Sequence, residues 1–249
     1  MLKQAPLYVL LLVAPAAASA AGINLSWNDC FSSRGPATNQ DFACDTNTGS
    51  HVLVATFDPP AGVTKLIGAS AVVDVATDGS DLPSWWQLGV GGCRAASLQL
   101  DLGSGETPFC STYWPGVAAG SLAYTTGAGG FPFRMRIHVS MGIPEAIAGA
   151  VDSGTEYYGF RLLLDNAAST GAGACAGCDV PACIILTSIW LYQPPAFGDL
   201  AICSPLLSNV ATWQGGRSDC TGAAPWWPTD CATTPAQNRT WGAIKSLYR

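Results

Sequence analysis

The segment that decides the fold runs from Cys175 to Tyr192 and reads Cys-Ala-Gly-Cys-Asp-Val-Pro-Ala-Cys-Ile-Ile-Leu-Thr-Ser-Ile-Trp-Leu-Tyr. Its second part is rich in β-branched and aromatic residues and is followed by Gln193-Pro194-Pro195. Such a run is typical of a strand buried on both faces. The cysteines at positions 175, 178 and 183 are expected to act as disulfide staples at the start of that strand. The segment therefore indicates architecture rather than chemistry.

Outward from this segment, short strand-like runs are separated by Gly, Pro, Asn and Asp. The predicted strands are His51–Phe57, Lys65–Val75, Trp85–Val90, Ser97–Leu102, Ser121–Thr126, Phe133–Met141, Glu156–Asp165, Cys183–Gln193, Leu200–Cys203 and Asn209–Gln214. Many short strands with turn signals between them predict an all-β protein. We expect a disulfide-stapled antiparallel β-sandwich, either jelly-roll or immunoglobulin-like, because strand patterns do not distinguish these two topologies.

The clearest alternation lies in Phe133–Met141. One face of this strand carries Phe, Met, Ile, Val and Met, and the other carries two arginines, His138 and Ser140. The pattern predicts a strand that covers the core on one side and meets water or a partner on the other.

The first twenty residues have the features of a secretory signal peptide. Lys3 precedes an apolar run from Leu7 to Val13, and Ala18-Ser19-Ala20 supplies a small-residue cleavage site. This pattern is typical of a signal that is removed on export. We therefore divide the chain into a signal peptide (1–20), a β-sandwich domain (21–204) and a C-terminal extension rich in Pro, Gly and Trp (205–249), and we expect a secreted or cell-surface protein without a membrane span after cleavage.

All ten cysteines lie after the signal, and an even count in an exported chain predicts disulfides. Proximity in sequence suggests Cys30–Cys44, Cys93–Cys110 and Cys220–Cys231, with two bridges shared among Cys175, Cys178, Cys183 and Cys203. Zinc binding or a redox role for Cys175-x-x-Cys178 is the alternative. The only histidines are His51 and His138, and neither is near another cysteine pair in sequence.

Composition argues against several functions. Charged residues make up only 11% of the chain, and the net charge is −6. A negative surface repels phosphate backbones, so nucleic-acid binding is not expected. The chain has no Gly-x-Ser-x-Gly, no His-Glu-x-x-His and no phosphate loop. A hydrolase using two carboxylates stays open as an alternative, although no carboxylate pair is singled out by the sequence.

Calcium is the one cofactor that the sequence suggests, as a possible structural ion. Asp74, Asp78 and Asp81 place carboxylates at close spacing in Asp-Val-Ala-Thr-Asp-Gly-Ser-Asp. The same residue types are also what turns use, and the twelfth loop position holds Trp85 instead of a glutamate. Both interpretations are retained.

The tryptophan pairs Trp85-Trp86 and Trp226-Trp227 suggest a glycan-binding face. Adjacent side chains of an extended strand point to opposite faces, so one ring of each pair would face outward, where it would stack on sugars. The alternative is that these rings fill the core or an interface between subunits.

The C-terminus concentrates positive charge in an acidic chain. Arg239, Lys245 and Arg249 lie within the last eleven residues, and Trp241, Ile244, Leu247 and Tyr248 would share one side of a short helix. The segment is expected either to dock on its own domain or to be a recognition tail, formed by Trp241, Ile244, Lys245, Leu247, Tyr248 and Arg249, for an export or attachment apparatus or a neighbouring subunit.

Several stretches carry a resemblance to a known family. The start Ala-Gly-Ile-Asn-Leu-Ser-Trp-Asn-Asp-Cys, the Gly-Ala-Gly-Ala-Cys-Ala-Gly-Cys run and the Thr-Trp-Gly-Ala-Ile-Lys-Ser-Leu-Tyr-Arg ending resemble a family of uncharacterised secreted, cysteine-rich bacterial proteins. The resemblance implies bacterial export and no activity. We therefore expect an exported structural, adhesion or surface-assembly protein, with a carbohydrate-binding module as the first alternative and a secreted hydrolase as the second.

Overall fold

The computed structural model describes residues 21–31, 36–103, 109–203 and 208–216. Within these ranges the chain forms twelve strands: β1 (Gly22–Trp27), β2 (Asn39–Gln40), β3 (Ser50–Asp58), β4 (Gly68–Thr77), β5 (Leu98–Asp101), β6 (Ser111–Thr112), β7 (Ala119–Thr126), β8 (Arg134–Gly142), β9 (Tyr157–Asp165), β10 (Ala182–Tyr192), β11 (Leu200–Ile202) and β12 (Val210–Trp213). The helical elements are three short 3-10 turns at Ser84–Trp86, Ala128–Gly130 and Glu145–Ile147. No helix in these ranges is long and apolar enough to cross a membrane.

The strands form the predicted all-β sandwich. One sheet has the order β1-β3-β9-β5, with β6 also paired to β9, and the other has the order β2-β12-β10-β4-β8-β7, with β11 also paired to β10. The named strand pairs are antiparallel except β2 with β12 and β6 with β9. Apolar side chains from the two sheets form one core.

Strand β10 occupies the central place that its sequence predicts. It pairs with β4 along one side and with β12 and then β11 along the other. Residues 182–187 are buried without interruption, and from Ser188 onward burial alternates. The change follows a register shift against β4 between Leu186 and Ser188. Only the first half of the strand is therefore buried on both faces.

The sequence pattern did not predict β1, β2 and β6, and two further features of it need correction. Trp85–Val90 is not a strand, because Ser84–Trp86 forms a 3-10 turn that buries both of its tryptophans. On β8 the alternation is confirmed except at Arg134, which is only 1% exposed. The Arg134 guanidinium lies 3.5 Å from the Asp74 carboxylate and packs over the Phe131 ring, so the charge is compensated where the strand begins.

The cysteines do staple the start of β10, but the predicted pairs Cys30–Cys44 and Cys93–Cys110 are wrong. The observed disulfides are Cys30–Cys110, Cys44–Cys178 and Cys93–Cys175. Cys183 and Cys203 are disulfide-bonded as well. Each of the three bridges spans 80 residues or more of sequence, because sheet pairing brings distant segments together. The predicted pair Cys220–Cys231 lies outside the described residues.

The expected end of the sandwich at residue 204 also needs correction. Strand β12 pairs with β10 and β2 inside the larger sheet, and the Trp213 ring is fully buried in the core. The sandwich therefore continues at least through β12. The signal peptide at 1–20 lies outside the described residues.

Candidate functional site

The first tryptophan pair lies in the core, which corrects its assignment to a glycan-binding face. Trp85 and Trp86 are both 0% exposed. The Trp85 ring stacks on Trp213 with centroids 4.9 Å apart, and Trp86 meets Trp85 edge-on at 5.0 Å. A sugar ring has no access to either face, so this pair fills the core. Trp226 and Trp227 lie outside the described residues, and their predicted role stays a prediction.

The proposed calcium carboxylates are separated by the fold. Asp74 lies within β4, is fully buried, and accepts hydrogen bonds from the Arg136 guanidinium at 2.8 and 2.7 Å. Asp78 and Asp81 are exposed in the turn after β4. Asp74 therefore belongs to a buried ion pair rather than to a calcium loop. Among the described residues, no group of three or more His, Cys, Asp or Glu side chains is placed to hold a metal ion.

Two glutamates serve structural contacts. Glu156 accepts hydrogen bonds from the side chains of Asn24 and Thr56 and from the Phe31 N–H, which joins β1 and β3 to the start of β9. Glu145 pairs with Lys65 at 2.9 Å near the surface. Neither contact is the facing carboxylate pair that the second alternative, a hydrolase using two carboxylates, would need.

The most distinctive surface of the described chain is the free edge of β7. Among the residues that the structure describes, this strand ends its sheet and pairs only with β8, in a regular register from Ala119↔Gly142 to Thr126↔Met135. Its sequence, Ala-Gly-Ser-Leu-Ala-Tyr-Thr-Thr, contains no charged residue and no proline. Native proteins ordinarily protect an edge of this length with lysine, proline or a bulge. Within the described part of the chain, the β7 edge has none of these protections.

The register identifies which backbone groups face outward. The Gly127 N–H donates to the Arg134 carbonyl at 2.8 Å. Gly127 and Arg134 are therefore a hydrogen-bonded pair, directly after the last residue of β7. Because bonded and non-bonded pairs alternate in an antiparallel ladder, residues 119, 121, 123 and 125 bond to β8. The N–H and C=O groups of Gly120, Leu122, Tyr124 and Thr126 therefore point to the open edge.

A groove of about 1110 Å³ runs beside this edge. It opens where β5 and β7 end the two sheets, and β7 lines one wall with Leu122, Tyr124 and Thr126. The segment from Gln87 to Gly92 lines the opposite wall, and Leu98 of β5 contributes from the other sheet. At the groove, Val90 is fully exposed.

The wall opposite β7 is fixed by several bonds. The Arg94 guanidinium is buried, donates to the carbonyls of Ala167, Trp85 and Asp165, and lies 3.6 Å from the centroid of the Trp85 ring. Burial lowers the pKa of Arg94 to about 10, so the group stays charged at neutral pH. The neighbouring Cys93 is bridged to Cys175. The groove wall is thus tied to the core and to the segment before β10.

Tyr124 joins this wall to β7. Its hydroxyl donates to the Trp86 carbonyl, and burial raises the pKa of Tyr124 to about 12. A Cβ atom at Gly89 would lie 2.6 Å from the Tyr124 ring, so only glycine permits this close approach. The side chain of Tyr124 is therefore neutral and connects the two walls of the groove.

The other sheet edges in the described ranges differ from β7. The outer side of β1 is covered, since the Leu25 N–H donates to Ser208 and the Trp27 N–H donates to Ala37. Strand β2 has two residues, and β5 has four and carries Asp101, which pairs with Arg161. The eight-residue β7 edge is thus long, uncharged and open. The sequence predicted the strand at Ser121–Thr126 but gave no sign of its edge position, which depends on the pairing of distant strands.

Comparisons with known proteins add little to this site. No family model matches the chain, and no curated protein matches it either. Among solved structures the chain is similar to a cohesin module from a family 33 glycoside hydrolase of Clostridium perfringens, at 6% identity and a TM-score of 0.33. The match covers 78% of this chain and 93% of the cohesin chain. At this TM-score the similarity carries no argument about function.

Proposed function

We propose that this protein is an exported, non-catalytic assembly or adhesion module that docks an extended polypeptide strand on the β7 edge. The observation that carries the proposal is the unprotected edge itself. Added strands bind such edges through main-chain hydrogen bonds, and side chains at alternate positions provide specificity. The outward groups of Gly120, Leu122, Tyr124 and Thr126 provide the hydrogen bonds, and the adjoining groove receives alternate side chains of the added strand.

Export is the second part of the proposal. Residues 1–20 have the sequence of a secretory signal, and the disulfides of the sandwich fit an oxidising compartment. The low charge of the chain leaves a surface suited to packing contacts. Bacterial origin and a recognition role for the residues from Trp241 to Arg249, which lie outside the described residues, are proposed on the sequence alone.

The docking mode is tested by removing one outward N–H. Thr126 is exposed and its N–H faces the open edge, so Thr126→Pro deletes an edge donor without removing a bond to β8. Thr126→Ala is the matched control, because it keeps the N–H and loses only the side chain. Eight-residue peptides are selected from a displayed library on the wild-type protein, and their affinities are measured for all three proteins.

Docking at β7 predicts that the selected peptides alternate apolar and polar residues. We expect them to bind wild type and Thr126→Ala equally and Thr126→Pro at least about tenfold more weakly, since each factor of ten corresponds to about 1.4 kcal/mol. Equal binding to Thr126→Pro and Thr126→Ala would place the peptides elsewhere and refute docking at this edge. Circular dichroism of the wild type and the two variants checks that each retains the sandwich.

A further inference from the structure

We infer that the strand docked on β7 is β7 of a second copy of this chain, in an antiparallel pair related by a two-fold axis at Ala123. This inference rests on the proposed function and names its partner. A two-fold axis at Ala123 places Gly120 opposite Thr126 of the second copy and Leu122 opposite Tyr124. Each outward-facing residue of one strand then meets an outward-facing residue of the other. All of the outward groups are used in this register, which gives about eight hydrogen bonds between the copies because each bonded pair exchanges two.

The charge distribution of β7 permits pairing with a second copy. The chain carries a net charge of −6, so two copies repel each other in most orientations. The β7 strand contains no charged residue, and self-pairing brings no like charges directly opposite one another. An uncharged eight-residue strand is a surface through which two acidic copies can approach.

The side chains also fit this register. On the outer face, Ser121 lies opposite Thr125 of the second copy, and Ala123 lies opposite its own equivalent. Residues 121, 123 and 125 are exposed in the single chain. Non-bonded antiparallel pairs bring Cα atoms to about 4.5 Å, which suits the small Ala123 side chain at the axis. Hydroxyl pairs such as Ser121 with Thr125 are favourable across strands.

Self-pairing also accounts for the exposed valine at the groove. Gly89 packs against the Tyr124 ring, so the next residue, Val90, is held beside β7. Since Tyr124 faces Leu122 of the second copy, the pairing brings Val90 toward that leucine. Val90, which is fully exposed in the single chain, gains an apolar neighbour in each half of the dimer.

Cysteine cross-linking at the axis tests the inference. Position 123 lies opposite itself at about 4.5 Å between Cα atoms, within the range that a disulfide spans. Ala123→Cys is therefore expected to form a covalent dimer under mild oxidation. Ser121→Cys alone is the matched control, because the two equivalents of position 121 lie four residues apart along the pair, about 13 Å, beyond disulfide reach. Mixing Ser121→Cys with Thr125→Cys restores cross-linking between copies.

The readouts are non-reducing electrophoresis, peptide mapping and light scattering. We expect most of the Ala123→Cys protein to become a dimer whose cross-link joins the peptide containing position 123 to its own copy, and less than a tenth of Ser121→Cys to do so. Without added cysteines, wild type and Thr126→Ala are expected to show twice the mass of Thr126→Pro. Cross-linking of Ser121→Cys equal to that of Ala123→Cys would overturn the register.

A monomeric wild-type protein without cross-linking at position 123 would overturn the second copy as the partner. The proposed function is judged separately by the peptide selection. If selected peptides still distinguish Thr126→Pro from Thr126→Ala, strand docking stands with another partner. If they do not, both the docking edge and the self-pairing are rejected.

Discussion

Replacement of Trp213 by phenylalanine tests whether the chain beyond residue 204 is part of the sandwich core. Trp213 lies on β12 and is fully buried. Its ring stacks on Trp85 at 4.9 Å and meets the edge of the Trp86 ring at 5.9 Å. Its indole N–H donates to the Cys178 carbonyl at 2.7 Å. One side chain thus joins β12, the 3-10 turn at Ser84–Trp86 and the disulfide-stapled segment before β10.

The expected cost comes from two losses. Phenylalanine cannot donate to the Cys178 carbonyl, and a lost net hydrogen bond costs about 1 kcal/mol. The Gln214 side chain also donates to this carbonyl, at 3.3 Å, which limits the desolvation penalty. The smaller ring leaves a void among close-packed aromatics, which costs about 1–2 kcal/mol. The free energy of unfolding should therefore fall by about 2–3 kcal/mol, or about 4–12 °C in Tm for a domain of this size.

Urea unfolding of the oxidised protein, followed by circular dichroism, measures this loss. Trp190→Phe is the matched control, because Trp190 lies on β10 but is only half-buried, and its replacement should cost less than about 1 kcal/mol. A loss below about 1 kcal/mol for Trp213→Phe, equal to that of the control, would refute the central position of Trp213 and return the sandwich boundary to residue 204.

Two further predictions concern the same core and the groove wall. The His51 ring lies 4.9 Å from the ring centroids of both Phe42 and Trp213, and burial lowers the pKa of His51. As the pH falls below about 6.5, the unfolded chain therefore binds the proton before the folded chain does, so the stabilisation from neutral His51 is complete above that pH and declines below it. In His51→Phe, the urea midpoint should depend less on pH between about pH 7.5 and pH 5. Removing the bridge beside the groove with Cys93→Ser and Cys175→Ser together should cost about 4–5 kcal/mol by loop entropy, because the bridge spans 82 residues of sequence. The double variant should also be cleaved faster by proteases between Gln87 and Ala96. An unchanged cleavage pattern would show that Arg94 and Tyr124 hold this wall without the bridge.

Local sequence patterns predicted the long strands β3, β4, β8, β9 and β10 but missed β1, β2 and β6. The alternating run of β8 and the continuous apolar run of β10 both became strands with nearly the predicted ends. The Trp85–Val90 prediction is wrong for a physical reason. Large aromatic residues favour strands, yet here they fill the space between the sheets from a 3-10 turn. Local propensity was overridden by the volume of the core.

The candidate site was harder to predict, because its parts meet only through distant pairing. Cys93 pairs with Cys175 rather than with its nearer neighbour Cys110, and proximity in sequence gave no indication of this. Asp74 is a second example, because its close spacing to Asp78 and Asp81 in the sequence suggested a metal loop. Its register opposite Arg136 of β8 converts it into a buried ion pair. Only the pairing of β4 with β8 explains both the burial and its compensation.

The stability of the groove wall bears on how tightly the β7 edge can dock a strand. Ordering a loop during association costs free energy, and a wall that is already rigid avoids that cost. Arg94, the Cys93–Cys175 bridge and Tyr124 hold the wall from three sides, and each contact leads back to the aromatic core or to the segment before β10. The Cys93–Cys175 bridge before the central strand therefore also fixes the wall beside the proposed docking edge.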